Sequence, residues 1–348
     1  MRAAMFYGPG DLRVEEVPEP VPGPEQVKIK IAFNGICGSD LHEYYGAPMM
    51  TPVAAPHPLT GVQVPVILGH EAAGTVVEVG PDADEITEGD LVAIEPIVSC
   101  GSCPACASGA YNHCARMAFH GFSTTGGGLA EYTVVARKMA HVLPAGLTPH
   151  QAALVEPMAV AYHAVRRTEA GQGDLCVVFG AGPIGLGVMF ALQALGASAI
   201  VVEPSEQRRA VAQKLGAAYV LDPGDGDVAA SVQDITSGRG ATACIDAAGV
   251  PSTLSDSLRS VMVEGRVVLV GVSMEPVPLM TPLLFMTEAT VTASAAYCGD
   301  FPAVIESMRQ GHYPLDGWIS TIGLDHVVAD GFEALRAGRA TKILVSPS

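Results

Sequence analysis

Four cysteines stand close together in the first third of the chain, at Cys100, Cys103, Cys106 and Cys114. Short Cys-x₂-Cys steps suit a shared metal ion better than disulfide pairs. Zinc accepts four thiolates in a tetrahedral shell, and a closed shell of this kind supports structure rather than catalysis. The spacing therefore predicts a structural zinc lobe over about residues 96–116. Four ordinary core or disulfide cysteines are the alternative.

A second group of metal-binding side chains is spread over two earlier segments. Cys37 precedes Ser39 and His42 just after a predicted strand, and His70 is followed directly by Glu71. A cysteine and a histidine from separate segments, with a carboxylate nearby, can hold a zinc ion that keeps one position open. An open position can receive water or a substrate, so this group predicts a catalytic metal site.

A G-x-G-x-x-G motif runs from Gly180 to Gly185, directly after an apolar strand predicted at 175–179 and at the start of a predicted helix. That context is typical of a dinucleotide-binding turn. Gly180 permits the tight turn, Gly182 lets the backbone approach a pyrophosphate, and Gly185 allows close packing of helix and strand. The alternative is a glycine turn that binds no ligand.

Glu203 ends the next predicted strand, at the expected distance beyond the glycines. A carboxylate there can accept hydrogen bonds from both hydroxyls of the adenosine ribose and would repel the 2′-phosphate of NADP. We therefore predict NAD as the cofactor. Arg208 leaves NADP as an alternative cofactor, because a guanidinium binds phosphate well. Arg209 is interpreted as a charge on the surface of a helix.

The elements that must position these residues change in character near residue 155. Before it, short strands such as 27–31 and 90–94 are separated by glycine and proline clusters, which is typical of an irregular β domain. After it, continuous apolar strands such as 175–179 and 199–203 alternate with helices. That alternation predicts a parallel sheet with helices on both faces.

Composition excludes several classes of partner. The 348 residues carry 36 acidic and 19 basic side chains, a net charge of −17, which disfavours nucleic acids and anionic membranes. No export signal is visible at the start of the sequence, and thiol metal sites suit a reducing compartment, so we predict a cytoplasmic protein. The uncharged run 175–202 is long enough to span a bilayer, but its glycines favour a buried strand–helix–strand.

These motifs occur in a characteristic order. Cys37-Gly-Ser-Asp-Leu-His42, Gly69-His70-Glu71, the four cysteines and the glycine motif follow one another along the chain. This order resembles the zinc-dependent medium-chain alcohol dehydrogenase family over essentially the whole length. The runs that start at His57 and Gly126 are similar to the butanediol dehydrogenase branch, and sorbitol and threonine dehydrogenases share the same frame.

The resemblance implies the fold and its domains. The implied fold is α/β, with an irregular β-rich, GroES-like catalytic domain and a doubly wound, parallel-sheet Rossmann domain for the cofactor. The catalytic, zinc-binding domain is expected at 1–155 and 297–348, because the last fifty residues rejoin the first domain. The NAD-binding domain is expected at 156–296.

The resemblance also implies the ligands of two zinc ions per chain. The four cysteines would hold the structural ion, and Cys37 and His70 would be the first two ligands of the catalytic ion. The third ligand is left open between Glu71 and Glu156, one of which can take the place of the other. Glu71 could instead stay beside the metal without touching it, and Glu156 could bond only a bound water or a substrate hydroxyl.

Catalytic and cofactor roles follow from the same resemblance. Ser39 would take the proton from the alcohol, His42 would pass it towards water, and Asp40 would support the site from behind. Glu156 would also take part in catalysis. The implied cofactor contacts are Gly180, Gly182, Pro183, Ile184, Gly185, Glu203, Arg208, Gly271, Val272 and Ser273.

The implied activity is an NAD-dependent oxidation of an alcohol, with a vicinal diol such as 2,3-butanediol and its hydroxyketone acetoin as the expected substrates. Alternatives are a polyol (sorbitol or xylitol) dehydrogenase and an L-threonine dehydrogenase of the same mechanism. A non-catalytic zinc-binding scaffold and a zinc-free quinone reductase are further alternatives. The family also implies a homodimer or homotetramer.

Overall fold

The structure is a computed structural model that describes residues 1–273 and 275–347. Its strands, in chain order, are β1 (Arg2–Gly8), β2 (Asp11–Glu16), β3 (Gln26–Gly35), β4 (Val66–Ile67), β5 (Glu71–Val79), β6 (Leu91–Ile94), β7 (Ile97–Val98), β8 (Ala118–Phe119), β9 (Tyr132–Ala136), β10 (Ala140–Val142), β11 (Leu175–Phe179), β12 (Ser198–Val202), β13 (Tyr219–Leu221), β14 (Ala241–Asp246), β15 (Val261–Leu269), β16 (Thr290–Ala293), β17 (Ile319–Gly323) and β18 (Lys342–Ser346). Its α-helices are α1 (Gly38–Tyr45), α2 (Pro104–Ala107), α3 (Pro149–Arg166), α4 (Pro183–Ala194), α5 (Glu206–Lys214), α6 (Val228–Ile235), α7 (Pro251–Ser260), α8 (Thr281–Thr287), α9 (Phe301–Arg309) and α10 (Glu333–Arg336).

The described chain divides into two compact units. The first comprises Met1–Glu156, Phe301–Ile305 and the residues from Trp318 onward, and the second comprises Pro157–Asp300 and Glu306–Gly317. The expected zinc-binding domain includes all of 297–348, whereas in the structure 297–300 and 306–317 group with the second unit. The packing of Tyr313 explains the second difference, because this buried ring meets Phe190 of α4 edge to face, with centroids 5.7 Å apart.

The second unit is built on a parallel sheet. In the described part of the chain its strand order is β13-β12-β11-β14-β15-β16, with every neighbouring pair parallel. The apolar run 175–202 forms β11, α4 and β12, and Val177, Val178 and Ile200 are fully buried. This is the strand order of a doubly wound Rossmann sheet, so the predicted fold class is confirmed for this unit. No described helix is both long enough and apolar enough to cross a bilayer.

The first unit is built around β3. Within the described residues its main sheet has the order β10-β6-β5-β3-β18-β17, with β9 also paired to β3. Smaller sheets join β2-β1-β4 and β7-β8. Alternate side chains of β3, at Val27, Ile29 and Ile31, are buried in its core, as the period-two pattern predicts. This irregular β-rich unit matches the predicted fold class and gives β3 a central place between β5 and β18.

Candidate active site

The four predicted cysteines converge at one point of the first unit, which we call the cysteine lobe. One ligand atom from each of Cys100, Cys103, Cys106 and Cys114 lies within 4.8 Å of all the others. The Cys103 and Cys106 sulfurs are 3.5 Å apart, and those of Cys100 and Cys106 are 4.0 Å apart. Tetrahedral zinc with Zn–S bonds of about 2.3 Å would hold its sulfurs about 3.8 Å apart. The lobe therefore has the donors and the size for one zinc ion.

Backbone groups favour ionised sulfur in the lobe. The N–H groups of Ser102 and Cys103 lower the pKa of Cys100 to about 5. Burial and hydrogen bonds with the neighbouring thiols of Cys103 and Cys114 raise the pKa of Cys106 to about 11. Clustered thiols resist full ionisation until a cation compensates their charge, so this arrangement suits a divalent metal.

Cys37, His70 and Glu71 form a second group, the mixed site, in the same unit. Each offers a ligand atom, and the three atoms lie within 4.8 Å of one another. Cys37 caps α1 directly after β3, and Glu71 begins β5, where it is the register partner of Gly35. The pairing of two neighbouring strands thus brings together segments that are far apart in sequence. One sulfur, one nitrogen and one oxygen donor fit a catalytic zinc with a vacant fourth position.

Asp40 lies beside His70 within the mixed site. The His70 Nε2 atom is 3.5 Å from Ser39 Oγ, and its Nδ1 atom is 3.6 Å from Asp40 Oδ1. The second oxygen of Asp40 accepts a hydrogen bond of 2.9 Å from the Cys37 N–H group. Burial opposes a charged imidazole, but Asp40 and Cys37 raise the pKa of His70 well above its usual range. The same negative field favours a metal cation, and a carboxylate behind a ligating histidine fixes its orientation.

Other predicted catalytic residues lie around this group. Ser39 and His42 are one turn apart on α1, where residues three apart share a helix face, and His42 is exposed. Glu156 is a buried residue of α3, only 6% exposed, and is not part of the group formed by Cys37, His70 and Glu71 in the described chain. Between the two candidate carboxylates, Glu71 is thus the one grouped with Cys37 and His70.

Lys342 is a residue that the sequence reasoning missed. Its ammonium donates hydrogen bonds to Glu71 and to the carbonyl oxygen of Ile36. Burial lowers the pKa of a lysine, but the charges of Glu71 and Cys37 outweigh it and raise the pKa of Lys342. A lysine that directly precedes the apolar residues 343–345 was the available signal.

The second unit contains a cavity of about 380 Å³ at the carboxyl end of its central strands. Four residues that we predict to contact the cofactor are among its lining residues: Gly180, Gly182, Glu203 and Arg208. Gly180 has a φ of +95°, which favours glycine, and a Cβ atom at Gly185 would collide with the Gly180 carbonyl. Two further predicted residues, Pro183 and Ile184, start α4 beside the cavity, where a helix N-terminus attracts phosphate.

The Glu203 carboxylate already accepts three hydrogen bonds from the protein, which the sequence did not indicate. Its Oε1 accepts hydrogen bonds from Ser205 N at 2.9 Å and Arg208 Nη2 at 2.7 Å, and its Oε2 accepts one from Ala181 N at 2.8 Å. A carboxylate offers about four lone-pair sites. Glu203 can therefore accept about one more hydrogen bond unless Arg208 moves. Arg209 pairs with Asp222 at 2.7 Å, in line with a structural role.

The remaining predicted cofactor residues lie beside a second cavity of about 220 Å³, which Gly271 and Ser273 line. Val272 is 77% exposed. Asp246, which the sequence reasoning missed, also lines this cavity and accepts hydrogen bonds from Ala248 N and Gly249 N at 3.0 and 2.9 Å. Its position at the end of a parallel strand was the signal, because ligands bind at that edge of such sheets.

Comparison with known proteins gives a consistent family. Residues 23–145 match the alcohol dehydrogenase GroES-like domain, and residues 183–310 match the zinc-binding dehydrogenase domain. The chain is 40% identical to (R,R)-butanediol dehydrogenase of Bacillus subtilis, over 100% of both chains. It is 34% identical to sorbitol dehydrogenase of the same organism, over 89% of this chain and 86% of that one.

Solved structures agree. The crystal structure of 2R,3R-butanediol dehydrogenase from Bacillus subtilis superposes with a TM-score of 0.94 at 40% identity, covering 100% of this chain and 99% of that one. A zinc-binding dehydrogenase from Sinorhizobium meliloti 1021, bound to NADP, gives a TM-score of 0.89 at 31% identity over 99% of each chain. These matches show that the chain belongs to the zinc-binding alcohol dehydrogenase family and is an oxidoreductase.

Proposed function

We propose that this enzyme uses NAD to interconvert 2,3-butanediol and acetoin. The observation that carries the proposal is the convergence of Cys37, His70 and Glu71, in a chain similar over its whole length to an (R,R)-butanediol dehydrogenase. We further propose that the first unit is the zinc-binding catalytic domain and the second unit the NAD-binding domain.

The donor sets support two zinc ions. The cysteine lobe would hold a structural ion, and Cys37, His70 and Glu71 would hold the catalytic one, with Asp40 fixing the His70 ring. When bound at the mixed site, zinc would supply Lewis acidity to the substrate oxygen. Glu71 is our choice for the third ligand, because it is grouped with Cys37 and His70 and Glu156 is not.

Oxidation of an alcohol removes a proton from its hydroxyl and a hydride from its carbon. When bound, NAD would accept the hydride. Ser39, whose hydroxyl is 3.5 Å from His70 Nε2, would accept this proton while passing its own hydroxyl proton on towards His42. His42, exposed one turn further along α1, would release that proton to water.

A vicinal diol presents two oxygens. One would bind beside Cys37 and His70, and Glu156 would accept a hydrogen bond from the other. The support is a buried carboxylate at the position where the ethanol-type enzymes that this chain resembles carry a cysteine. Recognition of the second hydroxyl would separate diols from simple secondary alcohols.

The cavity around Gly180, Gly182, Glu203 and Arg208 would hold the adenosine and pyrophosphate of NAD. Gly271, Val272 and Ser273 would contact the cofactor further along the same sheet edge. Glu203 is 2% exposed and would disfavour a 2′-phosphate. Its ion pair with Arg208 limits that selectivity, so we expect a preference for NAD rather than exclusion of NADP.

An exposed apolar surface on the second unit supports a homodimer or homotetramer. Phe285 and Met286 of α8 are 83% and 74% exposed, and β16 stands at the end of its sheet among the described strands. Exposed apolar side chains beside an open sheet edge are typical of association surfaces. Light scattering of Phe285→Glu should show dissociation if this surface joins the subunits. The cytoplasmic location stays a prediction.

A substrate panel tests the proposed activity. The zinc-loaded enzyme would be assayed with NAD and NADP against the stereoisomers of 2,3-butanediol, sorbitol, xylitol and L-threonine. We expect the highest kcat/KM with a butanediol stereoisomer and NAD. A higher kcat/KM for a polyol or for threonine would instead assign the enzyme to one of those alternatives.

A further inference from the structure

Lys342 is a lysine buried directly behind the mixed site. Only 1% of its surface is exposed, and the same is true of its partner Glu71. Its Nζ donates to Glu71 Oε2 and, at 3.0 Å, to the carbonyl oxygen of Ile36. Burying an ammonium costs free energy that an ion pair only partly offsets. The pair is therefore poorly explained as a device for stability alone.

The register of three strands builds this pair. Gly35 of β3 is opposite Glu71 of β5 on one side and opposite Leu344 of β18 on the other. A Cβ atom at Gly35 would collide with the Glu71 carboxylate and would lie 2.9 Å from Lys342 Cε. The missing side chain thus opens the path by which Lys342 reaches across β3 to Glu71.

The ammonium changes what Glu71 can offer a metal. Lys342 engages Oε2 of Glu71, which makes that oxygen a poorer donor to a second cation than Oε1. A carboxylate held in this way binds a metal through one oxygen rather than two. The positive charge of Lys342 also repels a cation at the mixed site.

We propose that Lys342 is a positioning residue that keeps Glu71 a weakly held, one-oxygen ligand and so preserves an open coordination position beside Cys37 and His70. Without Lys342, both oxygens of Glu71 could bind the ion, and the site would approach a filled shell. This inference rests on the proposed function, because it takes the ion at Cys37 and His70 to be the one that binds substrate.

The test measures the metal rather than turnover. Zinc-loaded wild type and Lys342→Met would be mixed with a chromogenic chelator, and the cysteine lobe and the mixed site should release zinc in separate phases. We expect release from the mixed site to become about tenfold slower in Lys342→Met, with the phase of the cysteine lobe unchanged. In the cobalt(II) form, visible absorption at the mixed site should weaken, because a fifth ligand lowers its intensity.

Three further variants isolate the cause. Lys342→Arg keeps the charge and should behave like wild type. Glu71→Gln should abolish the effect of Lys342→Met when the two are combined. Lys28→Met removes a lysine of β3 that is 8% exposed and pairs with Glu19, so it controls for the loss of a buried lysine and should leave both phases unchanged.

If Lys342 only supported the structure, Lys342→Met would loosen the mixed site, and zinc would leave it faster than in the wild type. Faster or unchanged release from Lys342→Met would overturn the proposal. Should that variant not fold, Lys342→Gln keeps a hydrogen-bond donor for Ile36 but carries no charge. Slower zinc release from its mixed site would support the proposal, and faster or unchanged release would overturn it. If release slows as expected but no butanediol is oxidised by the wild type, the proposed substrate is wrong and the role of Lys342 stands.

Discussion

The cysteine lobe and the mixed site are both candidates for zinc, but they are built differently. The cysteine lobe draws four like donors from a segment of 15 residues, Cys100 to Cys114. The mixed site takes unlike donors from two segments, and its geometry depends on the register between β3 and β5. A short segment can fill a metal's shell with its own side chains. Assembly across a sheet places Asp40 beside His70 and Lys342 beside Glu71.

The largest effect is expected from a substitution that removes a metal donor from the mixed site. In His70→Ala, kcat/KM for butanediol should fall about a thousandfold or more, because the Lewis acid is worth several kcal/mol to the transition state. Zinc content should fall from about two ions per chain to about one. His326→Ala, at a side chain 62% exposed, is the control and should keep both ions. Full activity in His70→Ala would show that the mixed site is not the catalytic site.

A smaller loss is expected from Ser39→Ala, because the zinc ligands remain and only the proton acceptor is lost. The expected fall in kcat is about a hundredfold, with zinc content unchanged. Steady-state kinetics and metal analysis on the same sample check both parts. Loss of zinc together with activity would show that Ser39 supports the metal instead of moving a proton.

Glu156→Cys sharpens the assignment of the two carboxylates. We expect kcat/KM for 2,3-butanediol to fall about tenfold relative to that for a simple secondary alcohol, because one hydrogen bond to the second hydroxyl is lost. Both substrates would be measured with the same enzyme and NAD concentration. Equal losses on the two substrates would count against a role in diol recognition.

The smallest effect on turnover is expected in the cysteine lobe. Cys103→Ser should lower Tm by about 5–10 °C, while kcat/KM of the protein that stays folded changes by less than about twofold. Calorimetry and active-site titration would separate the two quantities. Ser108→Ala controls for disturbance of the loop, because this exposed side chain bonds the Ala105 carbonyl oxygen and no cysteine sulfur. A large fall in kcat at unchanged Tm would contradict a purely structural ion.

A site built from one short segment is easier to predict from the sequence than a site assembled across strands. The cysteine spacing and the turn from Gly180 to Gly185 are local patterns, so both could be interpreted without a fold. The meeting of Cys37 and His70 depends on strand register. Their residue types indicated a metal site, and the family resemblance indicated that the two would share it.

Features that depend on several strands escaped prediction. Lys342 gains its place only because β18 lies beside β3, opposite Gly35. The halves of α9 group with different units, and the amphipathic pattern of one helix cannot show that. Glu203 was correctly placed at a strand end, yet the donors that occupy its oxygens depend on how α5 begins.

The hydrogen bond from Lys342 to Ile36 spans 306 residues of the chain. A ribosome adding about 5–20 residues per second would need about 15–60 s to deliver the lysine after the isoleucine. For most of that interval Cys37, His70 and Glu71 have been made, whereas the lysine that pairs with Glu71 has not. Pairing of β3 with β5 in the nascent chain would therefore leave the Glu71 carboxylate without its buried lysine partner until β18 is made.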